Sequence, residues 1–178
     1  RRMRTQQLDY LQKRSRSYGG ELMKRRKGRK GSRPLDPRTS MHLVLRSSKA
    51  QGEWSFKRPH HARKIREITQ KFSKKYGVRI FSYANVGNHL HFHLQLSNRH
   101  TYKPFIRALT AAITMAVTGA SRRKPLKKEA KDRFWDRRPF TRILAQGRRA
   151  FLALKDYVEV NQLEGLGCSR AEARDLVE

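Results

Sequence analysis

From Ser40 onward the chain alternates. Met41, Leu43 and Leu45 fall on one side and His42, Val44 and Arg46 on the other, the period-2 signature of a half-buried strand. Pro59 then opens a different rhythm. Ala62, Ile65, Ile68, Phe72 and Tyr76 recur at three-to-four spacing until Gly77, which predicts an amphipathic helix with proline at its start and glycine at its stop. Val78 to Tyr83 reads as a second strand, Asn85-Val-Gly87-Asn88 as a turn, and His89 to Leu96 as a third strand, together an antiparallel hairpin. A helix over Pro104 to Val117 buries Phe105, Leu109, Ala112, Ile113 and Ala116 and ends at Gly119. A basic loop over Ser121 to Arg133 leads to strand-like character over Phe134 to Leu144. A long helix follows from about Gly147 to Leu163, with Phe151, Leu154 and Val158 at the centre of its apolar face. Ser169-Arg-Ala-Glu172 is a capping-box start for a short last helix.

The order strand, helix, strand, strand, helix, strand, helix predicts an α+β fold of ferredoxin-like type, a mostly antiparallel sheet packed with helices. Residues 39–165 form the expected domain and 166–178 a short C-terminal helix and tail. Residues 1–38 are dense in Lys and Arg and broken by Gly19-Gly20, Gly28 and Gly31, so they read as a basic, flexible arm that orders on a partner.

Composition narrows the partner. The chain has 178 residues, 37% of them hydrophobic, enough for one domain with a core. Its 43 Lys and Arg against 14 Asp and Glu give a formal charge of +29. Such an excess calls for a polyanion, and nucleic acid fits best, because each neutralised phosphate releases a condensed counterion. An anionic membrane fits less well, since the basic segments lack the apolar stripe of an interfacial helix. No apolar run reaches membrane-spanning length and no signal peptide is read, so the expected location is the bacterial cytoplasm, near the nucleoid. The lone Cys168 has no partner for an internal disulfide or a cysteine zinc site, which leaves histidine as the soft ligand.

The histidines are concentrated in one strand. In His89-Leu-His91-Phe-His93-Leu-Gln95, His89, His91, His93 and Gln95 share one face while Leu90, Phe92, Leu94 and Leu96 share the other. Two imidazoles at i and i+2 direct both rings to one point above a sheet, the spacing a metal ion needs. A merely wet, histidine-rich face has the same spacing, and either His89 with His91 or His91 with His93 supplies a pair. On the last long helix Tyr157 and Asn161 stand one turn apart, so a phenol and a carboxamide share a side. A tyrosine there also serves simply to bury its ring and wet its hydroxyl.

Taken together, Asn88-His89-Leu90-His91 and the downstream Tyr157-Val-Glu-Val-Asn161 resemble the HUH single-tyrosine transposases of small insertion sequences and their REP-associated relatives, U being a hydrophobic residue. Met41 to Arg46 is similar to that family's first strand, and Phe134-Trp-Asp-Arg-Arg-Pro-Phe140 to its aromatic segment with Trp, Arg and Phe. The resemblance runs from about Ser40 to Gly165. It departs at Val86-Gly87, where the family has Met-Pro, and at Gln162, where the family mostly has Pro, which predicts a less defined helix end.

The resemblance implies a metal-dependent endonuclease and strand transferase acting on single-stranded DNA, probing for a hairpin beside the cleavage site and needing no ATP. Tyr157 matches the nucleophile that forms a 5′-phosphotyrosine bond. His89, His91 and Asn161 match the ligands of Mg²⁺ or Mn²⁺. An ordinary phenol ionises near pH 10, so it needs a cation nearby to attack at neutral pH. His93 is extra in this pattern, and His42, His60, His61 and His100 read as ordinary. Arg122, Arg123, Lys124, Lys127, Lys128, Arg137 and Arg138 are the expected contacts to the DNA backbone. A non-catalytic nucleic-acid binder on the same fold and a replication- or relaxase-type nickase are the rival readings. The assembly is a monomer or homodimer on either.

Overall fold

The computed structural model describes residues 18–19, 33–121, 123, 133–136 and 138–177, the first pair by backbone alone. Five antiparallel strands form one sheet in the order β1-β5-β2-β4-β3: β1 is Tyr18–Gly19, β2 Met41–Arg46, β3 Val78–Asn85, β4 His89–Leu96 and β5 Phe140–Ile143. Helix α1 covers Pro59–Tyr76, α2 Tyr102–Thr118, α3 Arg148–Leu166 and α4 Arg170–Asp175.

The alternation along β2 and β4 divides the sheet into two unlike faces. Leu43, Leu45, Leu90, Phe92 and Leu94 point to one side and meet Ile65 of α1 and Phe105, Leu109 and Ile113 of α2 in a single core. Each of these side chains is at most 2% exposed, and full burial of one is worth about 1.5–3 kcal/mol. The histidines occupy the opposite face, which α3 covers.

Helix α1 has proline at its first position and Gly77 in the left-handed conformation at its end, as its sequence predicts. Helix α2 begins two residues earlier than expected, at Tyr102, and places Pro104 in its first turn. Proline is tolerated there because a first-turn N–H has no intrahelical partner to lose. The capping box at the start of α4 is formed, Ser169 and Glu172 each bonding the other's backbone.

Two local features depart from the sequence pattern. The ladder of β3 with β4 slips between Ile80 and Ser82, leaving Phe81 as an extra residue. This bulge reverses the parity of the strand: Tyr83 lands opposite Phe92 on the core side, while the Phe81 ring lies 5.0 Å from that of His93 on the other. The strand expected over Phe134 to Leu144 is confined to Phe140–Ile143. Phe134 is buried against Trp54 and Phe56, and Trp135 donates from Nε1 to the Thr110 carbonyl at 3.1 Å and to Thr114 Oγ1 at 3.0 Å. Two consecutive aromatic anchors hold this stretch out of the sheet.

Part of the N-terminal segment is docked. Tyr18–Gly19 pairs with Thr141 and Arg142, and Arg33 donates to the Pro139 carbonyl at 2.8 Å and to Thr141 Oγ1 at 2.7 Å. Residues 1–17 and 20–32 of the expected arm lie outside the described residues. Among the described residues no helix is long and apolar enough to cross a membrane.

Candidate active site

The turn before β4 is organised by Asn85. Its side chain donates to the Phe56 carbonyl at 2.7 Å and accepts the Gly87 N–H at 3.1 Å, with Gly87 at a φ of 99° that suits glycine. Its backbone N–H donates to Gln162 Oε1 on α3 at 2.8 Å. Gln162, where the resembled family mostly has proline, therefore pins the helix, which continues to Leu166. Three residues on, Gly165 crosses the same strand end so closely that a Cβ would lie 2.5 Å from the Asn85 carbonyl oxygen.

This docking sets Tyr157 over the histidines. Its ring meets His91 edge to face at 5.9 Å between centroids and His42 at 5.7 Å, and the residue remains 41% exposed. His89 and His91 have ring centroids 4.9 Å apart. His89 Nδ1 lies 2.6 Å from Asn88 Oδ1, and His91 Nδ1 lies 3.0 Å from His42 Nε2. His91 Nε2 is buried with no hydrogen-bond partner. Asn161, also buried, donates from Nδ2 to the Tyr157 carbonyl at 2.6 Å, within its own helix.

Three of the face's imidazoles, His42, His91 and His93, are buried, and His89 is half-buried. Burial pushes the His91 imidazole down to about 3, assisted by repulsion from His42 and His89, and pushes His42 down to about 4, assisted by Arg142 and His93. His93 falls to about 4 through burial alone, and His89 is lowered by burial and then by Arg46. Desolvation penalises imidazolium, so the four rings are neutral at neutral pH and keep lone pairs for a ligand.

His93 is fully buried beneath the start of α3, its ring 4.5 Å from that of Phe151 and its Nε2 2.9 Å from Ser40 Oγ. It is a wall of the site and not a surface residue. His42, which the sequence gives no special context, stands at the centre instead. The available signal was its place on the polar side of the first strand; what was missing was the register that sets His42 opposite His93 and Val44 opposite His91. Of the expected DNA contacts, Arg123 and Arg138 are exposed, whereas Arg122, Lys124, Lys127, Lys128 and Arg137 lie outside the described residues. Among the described residues no three His, Cys, Asp or Glu side chains converge as a metal cluster.

A sheet with paired imidazoles on one face, crossed by a helix that lays a half-exposed phenol against them, gives an α+β frame that brings His89, His91 and Tyr157 together. Residues 37–161 match the family "Transposase IS200 like", and the chain belongs to that family. A solved REP-associated tyrosine transposase bound to a REP hairpin shares the fold, with a TM-score of 0.58 and 13% identity over 77% of this chain and 74% of that one. A Deinococcus radiodurans protein described as a "putative transposase" is 17% identical over 77% of this chain and 98% of its own, with a TM-score of 0.44. No curated protein matches.

Proposed function

We propose that this transposase cleaves and rejoins single-stranded DNA through Tyr157, with a divalent cation held by His89, His91 and Asn161. The observation that carries the proposal is the placement of the exposed Tyr157 ring within 5.9 Å of the His91 ring, with His89 adjoining. The Tyr157 oxygen attacks the scissile phosphorus and loses its proton as the bond from phosphorus to the 3′-oxygen breaks. That leaves a 5′-phosphotyrosine and a free 3′-hydroxyl, and attack by another 3′-hydroxyl reverses the step without ATP.

The donor set fits Mg²⁺ or Mn²⁺. His89 and His91 each engage Nδ1 with a neighbour and so present Nε2, and the His91 Nε2 is a buried atom in want of a partner. With the Asn161 Nδ2 committed to the Tyr157 carbonyl, Oδ1 is the amide atom that remains to coordinate. Two nitrogens and one oxygen leave positions for phosphate oxygens. When bound, the cation polarises the phosphate and stabilises the departing 3′-oxygen. Recognition of a DNA hairpin is supported by the ligand of the structurally similar REP-associated transposase and by the charge of +29.

The test uses labelled single-stranded hairpin oligonucleotides with Mn²⁺ or Mg²⁺. We expect a covalent adduct that survives SDS and disappears in Tyr157→Phe and with chelator. Tight binding without an adduct across many hairpins would identify a binder that does not cut.

A further inference from the structure

The sheet has a gap at one corner. Phe140 is the last β5 residue in the β2 ladder, opposite Val44, yet the Asp136 N–H donates to the Arg46 carbonyl at 3.1 Å. Residues 136 and 140 are thus held at 46 and 44 of β2, a separation of four on one chain against two on the other. A cavity of about 740 Å³ opens there, within the range of small-ligand sites.

Its lining is divided. His89 and His91 belong to it, which joins it to the proposed metal site. Val44, Ile106, Trp135 and Phe140 give it apolar and aromatic walls, and the exposed Arg46 and Arg138 give it cations. The walls are preset: Trp135 is fixed by its two bonds to α2, and Asp136 accepts from Ser48 N–H and Oγ, both at 2.7 Å. Neither a cation nor a phosphate explains apolar walls, since both require polar partners. A nucleotide explains both halves, with phosphate oxygens for the guanidinium groups and a flat base for the aromatic cleft. Only an unpaired base can enter, because a paired one is held in its stack.

We propose that this cavity receives the unpaired base of a nucleotide flanking the scissile phosphate, with Arg46 and Arg138 on its phosphates. This rests on the nuclease reading above, with the cavity fixing which phosphodiester reaches Tyr157. Thr110 offers a way to close it. Thr110 lines the cavity, its hydroxyl donates back along α2 to the Ile106 carbonyl at 2.7 Å and the Arg107 carbonyl at 3.4 Å, and its backbone carbonyl holds Trp135.

The test is made by binding, with Tyr157→Phe protein so that DNA stays intact whatever its chemistry. The probe is a DNA hairpin with a single-stranded flank of defined mixed sequence, carrying one abasic site or one 2-aminopurine at each flank position in turn. At one position we expect the abasic site to weaken binding roughly 5- to 150-fold, the factor for about 1–3 kcal/mol per stacked base, and 2-aminopurine to be quenched there. Adding Thr110→Phe should abolish both effects. An abasic scan without a sensitive position, or position dependence that survives Thr110→Phe, would overturn the cavity's role. The scan needs no cavity variant, so a poorly folding Thr110→Phe leaves it decisive. Adduct formation by the unsubstituted protein reports separately on the nuclease reading.

Discussion

His42 Nε2 lies 3.0 Å from His91 Nδ1, and the two rings meet edge to edge, their centroids 5.2 Å apart and their planes within 15° of each other. The contact is a diagonal one between neighbouring strands, since His42 is directly opposite His93 and His91 opposite Val44. When His91 Nδ1–H donates to His42, the lone pair of His91 falls on Nε2, the buried atom without a partner. His42 is thereby a positioning residue for the proposed cation site.

Loss of that contact should weaken the cation and not the fold of the DNA surface. We expect His42→Ala to lower Mn²⁺ affinity by about 10–100-fold in calorimetric titration, the usual effect of removing a partner of a metal-bound imidazole. In metal-free protein, nitrogen NMR should show the His91 Nε2 unprotonated, and a tautomer mixture in His42→Ala. His42→Gln, which keeps an acceptor, should recover part of both. Unaltered Mn²⁺ affinity and an unaltered tautomer in His42→Ala would remove His42 from the site.

Helix α3 depends on a second close contact. With the Asn85 carbonyl oxygen 2.5 Å from where a Gly165 Cβ would be, Gly165→Ala must push the helix off the strand end. Overpacking of this kind costs about 1–3 kcal/mol. Gln162→Leu leaves the Asn85 N–H without its acceptor, a loss of about 1–3 kcal/mol if it stays dry. Chemical unfolding should register both, and adduct formation should fall further than stability does, because the same movement carries Tyr157 away from His91. Wild-type unfolding midpoints in both variants would show that the helix is held by other contacts.

The periodic parts of this fold were legible in the sequence. Strand β2, the hairpin and the helices ending at Gly77 and Gly119 were set by spacing and punctuation, which act locally. Family membership was legible too, because the paired histidines, Trp135 segment and Tyr157 helix stand in a recognisable order. Features that depend on register were not. Phe81 turns toward His93 only because β3 carries a bulge, and His42 meets His91 only because β2 aligns with β4 across 49 residues of chain. The Phe134-Trp135 pair suits a strand in sequence, yet both rings pack against Phe56 and anchor a loop to the core.

Burial of the histidines also fixes a pH dependence. His42, His91 and His93 all have folded pKa values below the ordinary 6.5. As pH falls through 6.5 the unfolded chain takes up protons that the folded chain refuses, so stability is full above pH 7 and declines toward pH 4. Each such histidine contributes a slope of up to about 1.4 kcal/mol per pH unit in that window. Urea unfolding of metal-free protein between pH 7 and 5 isolates this effect, since the carboxylates whose pKa values are lowered, Asp36, Glu67 and Glu172, act at more acid pH. His93→Gln should make the decline shallower, and a profile flat from pH 7 to 5 would contradict a buried imidazole face.

The charge of +29 predicts how DNA binding responds to salt. If the basic segment around Arg122, Arg123 and Lys124 tracks backbone phosphates, neutralising all three to Gln removes three counterion-releasing contacts. The slope of log affinity against log salt for a single strand should then shrink by about 2, at about 0.7 per phosphate. Affinity should fall uniformly across oligonucleotide sequences, because phosphates carry no base identity. Adduct yield at saturating DNA should stay near that of the unsubstituted chain, since Tyr157, His89 and His91 are untouched. An unchanged slope would place the three cations off the DNA path, and a loss confined to particular sequences would make them readers of bases.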